Sequence, residues 1–268
     1  MLTDTHCHLA SHKFPSEEIP AIVARAAEAG VTRLVSLATS LDDIAPNLAI
    51  ADAYPNVHCG IGIHPCDVHH APDDVIDQLR PHLSNPRVCA IGETGLDYYH
   101  PAPEGWSDDD FRQRQRELLD AHFELASENK LNVVIHTRDR SGDASLQDAL
   151  SIYRKHASSV RAVFHCFIST PENARAVIEL GGLVSFGGVA TFKNASDVLD
   201  LAAHMEAGSF MLETDSPYLS PHPFRGQRNE PARVRSIAEK IAEARGQALE
   251  DLAAQSNRAA FSFFRGIE

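Results

Sequence analysis

The chain is short of positive charge: 24 lysines and arginines stand against 37 acids, a formal net charge of -13. That balance excludes a tight nucleic-acid binder built on a basic surface, but not an enzyme whose cleft carries its own cations. No apolar run reaches the length of a membrane span, and Met1-Leu2-Thr3-Asp4 has neither a basic leader nor an apolar core. A cytoplasmic protein with no secretory signal, no membrane contact and no obligate protein partner is therefore expected. Cysteine is scarce and odd in number (Cys7, Cys59, Cys66, Cys89 and Cys166), which argues against a disulfide framework. No cysteine pair has zinc-finger spacing. Cys89 reads as a small buried hydrophobe, and strand alternation is expected to turn Cys7 and Cys166 away from the histidines beside them. No repeat, low-complexity tract or linker divides residues 1–268, so a single domain is expected.

What is present is a recurring pattern of short β-branched run, polar turn and helical stretch. The strand-like runs are Leu2–His8, Thr32–Ala38, Val57–His64, Val88–Gly95, Asn132–Thr137, Ala162–Phe167, Leu183–Gly187 and Phe210–Asp215. Between them lie helical segments with start and stop signals: Ser16 before Glu17–Ala29, Ser107 before Asp108–Lys130, and Thr170-Pro171 before a helix stopping at Gly181-Gly182. Helices over Pro231–Arg245 and Ala248–Phe264 close the chain. Eight strands alternating with helices predict a single α/β (β/α)8 TIM barrel, with an open doubly wound sheet as the competing arrangement.

Histidine is abundant, at 15 residues, and its placement carries the chemistry. In His6-Cys7-His8 both imidazoles share one strand face and can reach one metal ion, with Asp4 preceding them on that face. Alone this triplet reads equally well as a solvated strand end. The sequence then places Glu93 at the end of the fourth strand, His136 after Val133-Val134-Ile135, His165 after Val163-Phe164, and Asp215 at the end of Met211-Leu212-Glu213-Thr214-Asp215. Six metal-ligating side chains at five strand ends would converge at the C-terminal mouth of a barrel, which chance loop starts do not explain. Four imidazoles and two carboxylates suffice for two divalent ions. Glu93 is the natural bridge, because a carboxylate can offer one oxygen to each ion. The mixed nitrogen and oxygen donors suit Zn2+, Mn2+ or Fe2+, and Mg2+ where water completes the shell. Such a pair of ions activates a water for hydrolysis, with Asp215 as its general base.

Further motifs stand as Gly62-Ile63-His64-Pro65, Gly92-Glu93-Thr94-Gly95-Leu96-Asp97-Tyr98-Tyr99, His136-Thr137-Arg138-Asp139 and His165-Cys166-Phe167. They continue with Thr191-Phe192-Lys193-Asn194, Glu213-Thr214-Asp215-Ser216-Pro217-Tyr218-Leu219 and Arg225-Gly226-Gln227-Arg228-Asn229-Glu230-Pro231. With Asp4-Thr5-His6-Cys7-His8, they resemble the TatD family of metal-dependent deoxyribonucleases, within the amidohydrolase superfamily, over nearly the whole chain. The resemblance implies one metal on His6, His8, Glu93 and Asp215, and another on Glu93, His136 and His165. It also implies hydrolysis of DNA supported by magnesium or manganese, as a 3′-to-5′ exonuclease acting largely on single strands. Other branches of the superfamily bridge their metals with a carboxylated lysine at the fourth strand. Glu93 in that place favours the TatD branch. The chain departs from the family pattern at Gln227, where lysine is common, and at Ile168-Ser169-Thr170, where a Ser-Gly pair usually follows.

Around this set, His64 is a candidate to contact a phosphate or protonate the leaving oxygen, against a packed rim histidine. Arg138, two residues after His136, is a candidate bidentate phosphate clamp, against a salt bridge to a nearby acid. Lys193 and Arg225 are candidate backbone contacts. Tyr98, Tyr99, Trp106 and Phe192 are candidate stacking faces for unpaired bases, with packing the expected role of Trp106. His69-His70 reads as solvated loop. The competing functions are a metal-dependent hydrolase of small lactones, amides or phosphate esters, and a barrel that has lost turnover.

Overall fold

The computed structural model describes residues 1–268. Eight strands form one sheet in sequential order, every neighbouring pair parallel: β1 (Leu2–Cys7), β2 (Val31–Leu37), β3 (Val57–Ile61), β4 (Val88–Asp97), β5 (Val133–Arg138), β6 (Ala162–Phe164), β7 (Leu183–Phe186) and β8 (Phe210–Leu212). The sheet curls until the chain just past β8 meets β1. Cys7 bridges Ser216 in parallel, Asp215 N–H donates to His6 O (2.8 Å) and His8 N–H donates to Ser216 O (2.7 Å). The expected barrel is thus obtained, and the open sheet is excluded.

Nine helices surround it: α1 (Ile19–Glu28), α2 (Leu41–Ala53), α3 (Val75–Leu79), α4 (Asp108–Asn129), α5 (Ala144–His156), α6 (Pro171–Glu179), α7 (Ser196–His204), α8 (Val234–Arg245) and α9 (Leu249–Phe263). None is long and apolar enough to cross a membrane. Alternation along the strands divides the core. Leu34, Val133, Ile135, Phe164 and Phe210 pack outward against the helices, while Val35, Val134, Val163, Leu183 and Met211 fill the barrel. Phe263 and Phe264, at the end of α9, join that inner set and stopper the end of the barrel remote from the strand C-termini.

Several predicted boundaries move, for local reasons. Ser16 caps no α-helix: Ser16–Glu18 is a 3-10 turn and α1 begins at Ile19. Pro20 has no N–H to give to the Ser16 carbonyl, so the α-helical ladder cannot start there. Ser107 and Thr170 do cap α4 and α6, accepting from Asp110 N–H and Asn173 N–H. β6 stops at Phe164, since Cys166 adopts a left-handed backbone (φ +47°). β8 stops at Leu212, since the Thr214 N–H is taken by the Asp4 carboxylate (2.8 Å) instead of a neighbouring strand. His64, His165 and Asp215 therefore stand just beyond their strands rather than within them. The His69-His70 run is not plain solvated loop: His69 is half-buried edge-on to Phe111.

His122 ties α4 to the segment that leads out of β3. It is fully buried, accepts from Ile63 N–H at Nε2 (3.3 Å) and sits 2.7 Å from Leu118 O at Nδ1. Burial pushes its pKa down from 6.5 to about 4, against a smaller opposing pull from the Leu118 carbonyl. The folded protein thus resists protonating a group that the unfolded chain protonates freely. The neutral imidazole stabilises the fold fully above pH 6.5, and this contribution is lost as pH falls toward 4. Thermal melts between pH 7 and 4 are expected to show a smaller acid destabilisation in His122→Gln than in the wild type. The difference should approach about 3 kcal/mol; parallel pH slopes would remove this assignment.

Candidate metal centre

Each of the predicted ligand side chains reaches the barrel mouth by a different local route. Val134 and His136 have the same parity on β5 and both point inward, as do Val163 and His165 about β6, and Met211 and Glu213 about β8. Asp215 lies past β8 in a left-handed turn (φ +54°) and is held at the mouth by its N–H, which donates to His6 O (2.8 Å). Glu93 is the exception. It lies inside β4 rather than at its end, and strict alternation from the helix-facing Ile91 would send it out of the barrel. The β4–β5 register slips between Ile91 and Thr94, and Gly92 takes φ +142°, so the side chain turns in. Glycine is required at this seam. A Cβ on Gly95 would stand 2.0 Å from the His136 carbonyl oxygen, and one on Gly92 would stand 2.8 Å from the Val134 oxygen.

The structure gathers all six residues. Glu93 Oε2 lies 3.3 Å from His6 Nε2 and 3.4 Å from His8 Nε2, and Asp215 Oδ1 lies 3.3 Å from His8 Nε2 and 3.8 Å from His6 Nε2. Glu93 Oε1 instead faces His165 Nε2 (2.9 Å), His136 Nδ1 (3.2 Å) and His64 Nε2 (3.5 Å). The two oxygens of one carboxylate thus serve two separate groups of ring nitrogens.

Outer contacts set which nitrogen of each ring is free. His8 Nδ1 is 3.0 Å from Leu37 O, which can only accept, so its proton sits there and Nε2 turns its lone pair inward. Asp97 Oδ2, 3.2 Å from His136 Nε2, does the same for His136 Nδ1. Glu213 Oε1, 3.3 Å from His165 Nδ1, frees His165 Nε2. Glu213 is itself held by Cys166 N–H (2.8 Å) and the Ser185 hydroxyl. His6 Nδ1 is buried with no hydrogen-bond partner, so that ring has no outer acceptor behind it and is steadied by stacking on His165 (centroids 3.9 Å apart) and by its contacts with His8 and Glu93. Carboxylate–imidazole pairs of this kind orient and strengthen metal ligands.

The electrostatics of the cluster favours cations. Glu93, Asp97, Glu213 and Asp215 place four carboxylates in a nearly sealed space. Burial alone would raise Glu93, but His165, His64 and His6 outweigh it and hold its carboxyl well below the usual range. Burial likewise opposes charge on His8 and His165. Asp215 and Glu93 nonetheless push His8 up to about 9, and Glu93 and Glu213 carry His165 well above its ordinary value. The site demands positive charge, and two divalent ions would answer it while leaving the imidazoles neutral. The residues fit the group: His6, His8, Glu93 and Asp215 would hold one ion, and Glu93, His136 and His165 the other.

Other expected contacts fare differently. Asp4 is buried behind the cluster, receiving the Thr214 N–H and hydroxyl; burial outweighs these bonds and lifts it to about 8. Cys7 does face the helices, but Cys166 lies past its strand in the left-handed turn, where alternation no longer applies, and lines a hollow with Arg138 and Ile168. His64 is half-buried, its Nδ1 accepting from Cys66 N–H (3.1 Å), and burial drops it to about 3. Arg138 is exposed and pairs with no acid; its guanidinium lies 4.1 Å over the Tyr99 ring. Lys193 lines a separate hollow beside Glu239 and Glu243 of α8, and Arg225 rests 3.7 Å over Phe192 and donates to Ser220 O. Neither touches the cluster. Tyr98 is not a free stacking face, because it is buried and its hydroxyl donates to Asp148 (2.7 Å). Trp106 is partly exposed and edge-on to Phe111. Gln227 accepts from Arg233 on the outer surface. The residues that motif reading left without roles are Asp97 and Glu213. Their signal was an acid at the same strand parity as a ligand, or one strand away from it.

Comparison with known proteins gives the same frame. The profile of the family described as TatD related DNase matches residues 3–265. The uncharacterized metal-dependent hydrolase YcfH of Escherichia coli (strain K12) is 36% identical over 255 residues, covering 94% of this chain and 91% of that protein. YabD of Bacillus subtilis (strain 168), also named an uncharacterized metal-dependent hydrolase, is 32% identical over 266 residues, covering 99% of each. The crystal structure of YjjV, a TatD homologue from Escherichia coli K12, superposes with a TM-score of 0.88 at 29% identity, covering 98% of this chain and 97% of that one.

Asp97→Asn and Glu213→Gln keep volume but weaken the acceptors that orient His136 and His165. Competition with a chromophoric chelator is expected to show divalent-ion affinity lowered by about tenfold to a hundredfold in each. Affinity equal to wild type, in a protein with native circular dichroism, would remove their positioning role.

Proposed function

The chain belongs to the TatD related DNase family of metal-dependent hydrolases, and from that premise we propose that it cleaves phosphodiester bonds at the 3′ ends of single-stranded DNA. The observation that carries the substrate class is the rim of the mouth. Two exposed tyrosines each lie under a cation: Tyr99 beneath Arg138, and Tyr218 beneath Lys13 at 4.1 Å, with the Tyr218 ring 6.1 Å from that of His8. Paired aromatic and cationic faces suit a strand with unstacked bases and a charged backbone. A small apolar ester would favour an enclosed apolar pocket, and this mouth is polar.

Divalent ions, magnesium or manganese in this reading, supply Lewis acidity and an acidified water when bound in the cluster. The chain's own groups do the rest. Asp215 is the proton acceptor for the attacking water, since its carboxyl is held ionised: burial opposes this, and His8 and His6 outweigh burial. Glu93 keeps the two halves of the site in fixed relation. His64, held neutral by burial with Nδ1 occupied, presents Nε2–H as a hydrogen-bond donor to a phosphoryl or leaving oxygen. Arg138 clamps a phosphate from the rim. The acidic exterior, formal charge -13, keeps affinity for the strand modest, which suits an enzyme that must release and rebind ends. All five thiols are free, in keeping with a cytoplasmic setting.

Metal-loaded protein incubated with 5′-labelled single-stranded DNA, an aryl phosphodiester and a lactone separates the readings. A ladder shortening from the 3′ end is expected, and hydrolysis of the small esters alone would overturn the proposal. Asp215→Asn should lower kcat/KM by a factor of about a thousand. Arg138→Ala should raise KM about tenfold with kcat nearly unchanged. Strong chelator should abolish turnover while circular dichroism reports an intact barrel; activity persisting in chelator would remove the metal mechanism.

A further inference from the structure

We propose that Cys66, Asp97 and His100 form a third, single-ion site, beside the main cluster, for a soft divalent cation of the Zn2+ class. Cys66 sits in the Pro65–Asp67 turn that follows β3, Asp97 is the last residue of β4, and His100 lies three residues further on. One sulfur, one oxygen and one nitrogen donor lie within 4.8 Å of one another. His100 Nδ1 is 2.9 Å from Asp97 Oδ2 and 3.5 Å from Cys66 Sγ.

The Asp97 side chain, 1% exposed, is fixed by the Tyr99 and His100 N–H groups on Oδ1, which leaves Oδ2 aimed at the other two donors. His100 is about half exposed, so the site opens to solvent. Three protein donors leave one tetrahedral position for water, and a thiolate selects Zn2+ over Mg2+, which prefers oxygen alone. Burial keeps the Cys66 thiol protonated when no cation is present. Binding forms the sulfur–cation bond as the S–H bond breaks, and the proton leaves to solvent; nothing is oxidised or reduced.

The site shares an atom with the main cluster. Asp97 Oδ2 is also the acceptor that orients His136, at 3.2 Å. A cation on that oxygen draws charge from the carboxylate and loosens its hold on His136. Occupancy of this third site therefore slows hydrolysis. This regulatory clause rests on the function proposed above, while binding itself does not.

The test is Co2+ titration of the full-length protein in excess Mg2+, read by absorbance. A thiolate-to-cobalt charge-transfer band is expected in the wild type and in Cys166→Ser, and is expected to vanish in Cys66→Ser. His100→Ala should weaken the band's apparent cobalt affinity by about tenfold or more. No band at cobalt saturation, or a band that survives Cys66→Ser, would overturn the site. In parallel, excess Zn2+ should inhibit DNA cleavage by the wild type several-fold more than by Cys66→Ser, and equal inhibition would overturn the regulatory clause. If DNA is not cleaved at all, the proposed function fails and the charge-transfer band alone decides this inference.

Discussion

Everything at the barrel mouth is arranged about one buried carboxylate. Glu93 turns one oxygen toward His6 and His8 and the other toward His136, His165 and His64. Such a group cannot sit unpaired away from water, so the surrounding rings must either take protons or share cations with it. The protonation tendencies of His8 and His165 and the depressed Glu93 express the same demand. Asp97 and Glu213 then decide which nitrogen of His136 and of His165 is available. Metal dependence is in this sense a consequence of burial.

That centre reconciles two facts that conflict at the level of composition. An acidic chain is a poor partner for a polyanion, yet the mouth pairs exposed tyrosines with cations around a site that calls for divalent ions. The field at the mouth is set within a few ångströms of the cluster, where low dielectric magnifies nearby charge and the distant acids are screened. Rim and centre divide the labour. Under the proposed function, Arg138 and the tyrosines would select the substrate and the buried groups would act on it.

Much of this is legible in the order of residues alone. Strand and helix alternation is enough for the barrel, because each apolar run is short, β-branched and followed by helix punctuation. His136 and His165 can be placed by parity, since a side chain two residues beyond an inward Val also points inward. Boundaries are less legible. Pro20 delays α1 through a local bond that it cannot make, whereas β8 ends early because Thr214 bonds Asp4, a partner that a window of local sequence does not weigh.

The sequence by itself determined the fold class and the gathering of the candidate donors at strand ends on one rim, because strand and helix alternation and parallel strand direction are local and additive. Only the tertiary structure decided how Glu93 enters the barrel, since the register slip of β4 against β5 reverses the face that alternation assigns. It alone also decided that Tyr98 is sealed by Asp148 and that Lys193 and Arg225 stand apart from the cluster. The same is true of the Asp97 oxygen shared by His136 and His100. Those outcomes depend on which residues from distant parts of the chain compete for one hydrogen bond, and that competition exists only once the barrel has closed.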